Sequence, residues 1–158
     1  MSVTQVEAIN LLFEACRIGI SSSNNTLSLH ALSCLGHLIK RVTLQDQARI
    51  KPQVHHILPL LIEKLGDQKD RNRSIALTAL LDLWKTTPSE VERGIKEMGF
   101  SSKNPKARQE SLNWLLQVHS AGQGFSFRSF TPFMIKALED ASEPVREASK
   151  EVVVELFK

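Results

Sequence analysis

Histidine, cysteine and carboxylate side chains are where catalysis or metal binding would begin, and their spacing here supports neither. His55 and His56 are adjacent, and neighbours on a helix point in different directions. His30 and His37 share a helical face at i,i+7 without a third ligand, and His119 stands alone. There is no nucleophile elbow, P-loop, dinucleotide fingerprint or zinc-type spacing. Gly122-Gln123-Gly124 reads as a linker, not a phosphate cradle. No catalytic residue, metal or cofactor is assigned on these grounds.

The basic side chains are organised differently. Leu65–Arg73 (LGDQKDRNR) recurs in looser form at Phe100–Arg108 (FSSKNPKAR) and Leu138–Arg146 (LEDASEPVR). Arg73, Arg108 and Arg146 lie 35 and 38 residues apart. A period of that size carried by helical patterns signals an α-solenoid. The chemistry available to such a row is charge recognition. Two readings stand for the three arginines. They pair with Asp67, Asp70, Glu110 or Asp140 and fix the turns, or they contact a partner directly. Lys69, Arg71, Lys103 and Lys106 project from the turn tips, where partners within the chain are scarce, and are read either as solvated charge or as partner contacts.

The elements that must position these turns follow from the apolar spacing. It predicts helices over Thr4–Ile18, Thr26–Val42, Lys51–Leu65, Arg71–Lys85, Ser89–Phe100, Lys106–Ser120, Arg128–Glu139 and Val145–Phe157. Gly19 is expected to end the first and Thr43–Ile50 to be a link. Pro59 is expected to kink or split the third. Leu12 and Cys16 are placed inward, and Cys16 and Cys34 are read as two small buried residues on neighbouring helices. The expectation is all-α, an α-solenoid of about four HEAT-like hairpin pairs. It forms one domain over 1–158, with repeats at about 4–42, 51–86, 89–120 and 126–158.

Composition narrows the function classes. Twenty Lys and Arg against 17 Asp and Glu give a net charge of +3, which favours acidic partners weakly. It falls short of the dense basic clustering of a nucleic-acid binder. Seven Phe, two Trp and no Tyr leave little material for an aromatic ligand cage. No apolar run approaches the roughly 18 residues needed to span a bilayer. The N-terminus lacks a basic region followed by an apolar run, so cytosolic or nuclear residence is expected.

Ile57–Arg73 resembles the third repeat of the first TOG domain in the CLASP family, the cytoplasmic-linker-associated microtubule-stabilising proteins, in its fungal form. Ser22–Leu32, Phe100–Leu115 and Ala137–Ser149 resemble the second, fourth and fifth repeats of the same domain. The first and sixth repeats have no counterpart, so the chain is expected to be part of a larger protein. The resemblance implies a partial HEAT paddle whose turns grip αβ-tubulin or the microtubule lattice. Carried over turn by turn, the contacts would be Asn24 and Asn25, then Lys69 and Arg71, then Lys103, Lys106 and Arg108, and lastly Arg146. It also implies cytoplasmic microtubules and the spindle as the location, the nucleus in closed mitosis, and other microtubule-associated proteins as further partners. The rival expectation is a HEAT scaffold that binds a different protein through a helical face.

Overall fold

The computed structural model describes residues 2–122 and 124–158. Gln123, in the middle of the expected Gly122–Gly124 linker, lies outside them. Eight α-helices occur among the described residues: α1 Val3–Ile20, α2 Asn25–Gln45, α3 Lys51–Lys64, α4 Asp70–Trp84, α5 Pro88–Gly94, α6 Pro105–Ser120, α7 Thr131–Leu138 and α8 Glu143–Leu156. Short 3-10 turns at Gln47–Arg49 and Arg128–Phe130 lead into α3 and α7.

Local chemistry sets the starts. Ser2 and Gln5 form a reciprocal capping box at α1. Asn24 caps α2 through Leu27 N–H at 3.1 Å, and Asn104 caps α6 through Lys106 N–H at 2.9 Å. Pro52, Pro88, Pro105, Pro132 and Pro144 all fall in first turns, where a missing N–H costs nothing.

The helices form two layers. α1, α3 and α5 lie side by side in one, and α2, α4, α6 and α8 in the other, with α7 closing on α8. The result is an α-solenoid of antiparallel hairpins. One continuous core runs between the layers, from Phe13, Leu32 and Leu35 through Ile57, Leu61 and Leu80 to Trp114, Leu115 and Phe130. Burial of that apolar surface is the main favourable term in folding.

Several expectations are corrected. α1 runs through Gly19 to Ile20. A Cβ on Gly19 would come 2.6 Å from that of Ala31, so the glycine serves close packing of α1 on α2, not helix termination. α2 extends to Gln45 into the expected link. α3 is continuous across Pro59, whose ring faces outward. The fifth helix does not stay α-helical to Phe100. After Gly94 it widens into a π turn over Ile95–Gly99, and Phe100 N–H reaches Ile95 O at 2.9 Å. Leu12 is exposed, not inward. Cys16 is buried but Cys34 is exposed, because Cys34 falls on the outer face of α2. Most of the scarce aromatics gather at the C-terminal end of the core, away from Phe13. Trp114 lies 6.0 Å from Phe130 and 6.3 Å from Phe125, Trp84 lies 5.9 Å from Phe125, and Phe100 lies 6.1 Å from Phe130.

Candidate functional site

The turn between the two helices of each hairpin is built to one plan. Ser22, Asp67, Ser102 and Asp140 each accept a hydrogen bond on a side-chain oxygen from the N–H two residues on, at 3.1, 2.9, 3.1 and 2.9 Å. The donors are Asn24, Lys69, Asn104 and Ser142, and each is the extended N-cap of the second helix. Such local side-chain acceptors hold the backbone out of the helix for the residues of the bend.

The periodic arginines close the same turns. Six residues after the acceptor, the Nη1 of Arg73, Arg108 and Arg146 donates to the carbonyl of Asp67, Ser102 and Asp140, at 2.6, 2.8 and 2.7 Å. Arg73 also reaches Gln68 O and ion-pairs with Asp70, and Arg146 reaches Ala141 O. The first hairpin has Ser28 in this place, and its hydroxyl donates to Ile20 O at 2.8 Å. A charged donor on a bare carbonyl is worth more than a neutral pair. The arginine period is therefore the signature of a turn clamp.

Successive turns are then tied to one another. Asn104 Nδ2 donates to Gly66 O at 2.8 Å. Arg108 Nε and Nη2 donate to the two carboxylate oxygens of Asp140, at 2.8 and 3.0 Å. The Arg108 hydrogen bond, with help from Ser142 N–H and the nearby guanidiniums, holds the Asp140 carboxyl below the usual range against the opposing effect of its burial. These links put the turns at residues 66–69, 101–104 and 139–142 side by side on one edge.

The expected site residues divide into two groups on this edge. Arg108 and Arg146 are engaged inside the fold as described. Asn24 spends its side-chain oxygen on the α2 cap, and Asn25 follows it, exposed, as the first residue of α2. Lys69, Arg71, Lys103 and Lys106 are exposed, and their side chains make no hydrogen bond or ion pair among the described residues. The turn around Arg146 carries Glu139 and Glu143, both exposed. Asn104, the staple to Gly66, was not anticipated. Its signal is an Asn directly before Pro105, which marks a cap but not the neighbouring turn it reaches.

The remaining candidates stay apart from this edge. His55 and His56 stack with centroids 4.1 Å apart. Desolvation, then His55, then Arg17 push the proton affinity of His56 down. No group of three His, Cys, Asp or Glu among the described residues could hold a metal ion. No helix among the described residues is long and apolar enough to cross a membrane.

Comparison with known proteins places this architecture. The model of the CLASP N-terminal family matches residues 4–158. The chain is 41% identical over 147 residues to Protein stu-1 of Neurospora crassa, covering 93% of this chain and 13% of that protein. It is 41% identical over 152 residues to Protein stu1 of Aspergillus oryzae, covering 96% of this chain and 13% of that protein. It thus spans only a small part of the length of the curated relatives it matches. The crystal structure of the MAST/Orbit N-terminal domain superimposes with a TM-score of 0.82 at 26% identity, over 94% of this chain and 66% of that one. The chain therefore belongs to the CLASP N-terminal family and has its TOG-type fold of HEAT-like hairpins.

Proposed function

We propose that this chain is a tubulin-binding module of a microtubule-stabilising protein, and that it works by shape and charge without chemistry of its own. One observation carries the reading. Two successive turns, stapled to each other through Asn104–Gly66 and braced from the next turn by Arg108–Asp140, hold Lys69, Arg71, Lys103 and Lys106 on a common edge with no internal partners among the described residues. A rigid cationic edge fits an acidic protein surface, and tubulin is strongly acidic. Charge of this kind steers encounter and sets register more than it sets raw affinity. Asn24 and Asn25 extend the edge with small polar contacts. Arg108 and Arg146 act by holding the turns in shape. Whole-protein action on cytoplasmic or spindle microtubules, or in a nucleus that divides closed, would come from several such modules acting together.

The test is size exclusion of the chain mixed with αβ-tubulin. The parent chain co-migrates, and Lys69→Glu with Lys103→Glu abolishes co-migration while the fold survives. Unchanged co-migration of the double variant would remove the reading.

A second reading has its own observation. Leu11, Leu12, Ile18 and Leu44 of the first hairpin are 64%, 53%, 68% and 77% exposed. Of these, Leu12 and Leu44 line one open cleft between α1 and α2, and an apolar surface of that kind suits a scaffold that binds another protein through its helices. Loss of that binding on Leu12→Lys, with tubulin uninvolved, would favour it.

A further inference from the structure

The two intervals between the stapled turns are built differently. Between the turns at Gly66 and Asn104 there is no space. A Cβ on Gly66 would come 2.5 Å from Asn104 Nδ2 and 3.3 Å from the Cβ of Ala107. The short Asn side chain reaches the neighbouring backbone directly, so the two turns touch. The next interval is bridged by a long side chain, Arg108, whose guanidinium meets Asp140. Beneath that bridge the edge opens into a cleft of about 520 Å³.

The cleft has an apolar floor and a neutral mouth. Phe100 and Phe133 lie in it with ring centroids 5.5 Å apart, both half-buried, above the fully buried Val145. Arg108 and Asp140 cancel each other along one wall. Lys136 and Glu139 carry opposite charges at the opening, and both are exposed. Ala141 lines the same mouth and leaves it unobstructed. A neutral, aromatic-floored cleft next to the two cation-bearing turns selects neither an anion nor a cation. It selects an apolar side chain brought in by an acidic surface.

We propose that this cleft receives one aromatic or leucine-like side chain projecting from the acidic protein surface that the lysine-bearing turns engage. It rests on the tubulin-binding reading above, and it adds an anchor to what would otherwise be a purely charged contact. The lysines orient the partner, and the seated apolar group slows its departure. A few residues seated in well-packed, desolvated pockets, with Trp and Tyr prominent among them, carry most of the binding energy at protein interfaces. Aromatic contacts add to what area alone gives.

The test uses the 158-residue chain with purified αβ-tubulin as probe and binding followed by size exclusion or light scattering. Ala141→Trp fills the mouth from an exposed turn position. Ala121→Trp adds the same bulk at the far end of α6, on the opposite edge, as control. Ala141→Leu replaces the Trp variant if that one melts early. The expected result is at least about tenfold weaker binding for Ala141→Trp, and parental binding for Ala121→Trp. Parental or tighter binding by Ala141→Trp, together with loss on Lys69→Glu and Lys103→Glu, overturns the cleft and leaves the charged edge standing. Binding untouched by either set of changes overturns both.

Discussion

Arg108 in one turn and Asp140 in the next share two parallel charge-assisted hydrogen bonds of 2.8 and 3.0 Å, with only 19% and 12% of their side chains exposed. Arg108 simultaneously closes its own turn through Ser102 O. The bond set therefore couples the shape of one turn to the spacing of two. Removing one partner leaves the other partly buried and short of bonds. Asp140→Asn is expected to cost about 1–3 kcal/mol. For a chain of this size the melting temperature should fall by roughly 2–4 °C per kcal/mol. Arg108→Ala combined with Asp140→Ala should be less than additive by about 0.5–3 kcal/mol. Strict additivity in urea melts would mean that the bridge adds nothing.

Acid weakens the same bridge. Asp140 has a carboxyl pKa lowered in the fold, chiefly by its hydrogen bond with Arg108. The folded state then binds fewer protons than the unfolded one in acid. The stabilisation is complete above the unfolded value of about 3.9 and is lost as pH falls through the lowered folded value. The stability gap between the parent and Asp140→Asn should be constant from neutral pH to about pH 5 and shrink below pH 4. Urea midpoints of the two proteins at pH 7, 5 and 3 measure it, and a gap that stays flat to pH 3 would contradict the bond.

Gly66 and Asn104 should behave as one unit. A methyl group on Gly66 collides with the Asn104 amide at 2.5 Å. Gly66→Ala is therefore expected to destabilise by about 1–3 kcal/mol, through displacement of the staple. Asn104→Ala removes both the α6 cap and the bond to Gly66 O, for roughly 0.5–2 kcal/mol from the cap alone. In the Asn104→Ala background the collision partner has gone, and Gly66→Ala should cost much less. Equal costs in both backgrounds, by denaturant titration, would refute the coupling.

The two cysteines differ in reach. Cys34 is exposed, whereas Cys16 is buried. Burial and then the nearby Cys34 push the Cys16 thiol up, which lowers its thiolate content. Iodoacetamide on the native chain should give a single rapid adduct at Cys34, with Cys16 modified only on unfolding. Peptide mass mapping distinguishes this from simultaneous modification of both.

What the sequence disclosed and what it withheld follow a physical line. Apolar spacing is a local signal, and it placed seven of the helices to within a few residues, while the expected end of the fifth at Phe100 lies beyond a π turn. The repeated Arg was legible as a position, but its role depends on which carbonyls a six-residue reach meets, and that is set by the bend itself. Asn104 was hidden because its Gly66 partner is 38 residues away. Cys34 and Leu12 were misplaced because an apolar residue at the edge of a helix stripe looks like a core residue until its neighbours are known. The π turn at Ile95–Gly99 has no local mark, since one inserted residue in a helix leaves composition unchanged.

The exposed cations allow a graded prediction. Lys69, Arg71, Lys103 and Lys106 have no internal partners among the described residues, so neutralising any one of them removes charge from the edge without stranding a buried group. Lys69→Gln, Lys103→Gln and Lys106→Gln should leave the melting temperature within about 2–4 °C. Each should slow association with αβ-tubulin and affect dissociation less, because long-range attraction acts before contact. Raising salt shortens the range of that attraction to about 8 Å at 0.15 M, so the parent and the variants should converge as salt increases. Arg146→Gln removes the same charge from the turn with the acidic neighbours Glu139 and Glu143, and it also breaks the bonds to Asp140 O and Ala141 O. Its signature should be the reverse, with a measurable loss of stability and a smaller change in association rate. Stopped-flow association and thermal melts on the same five proteins separate the two behaviours. A lysine variant that melts early but binds at the parental rate would place that lysine among the clamps instead of on the binding edge.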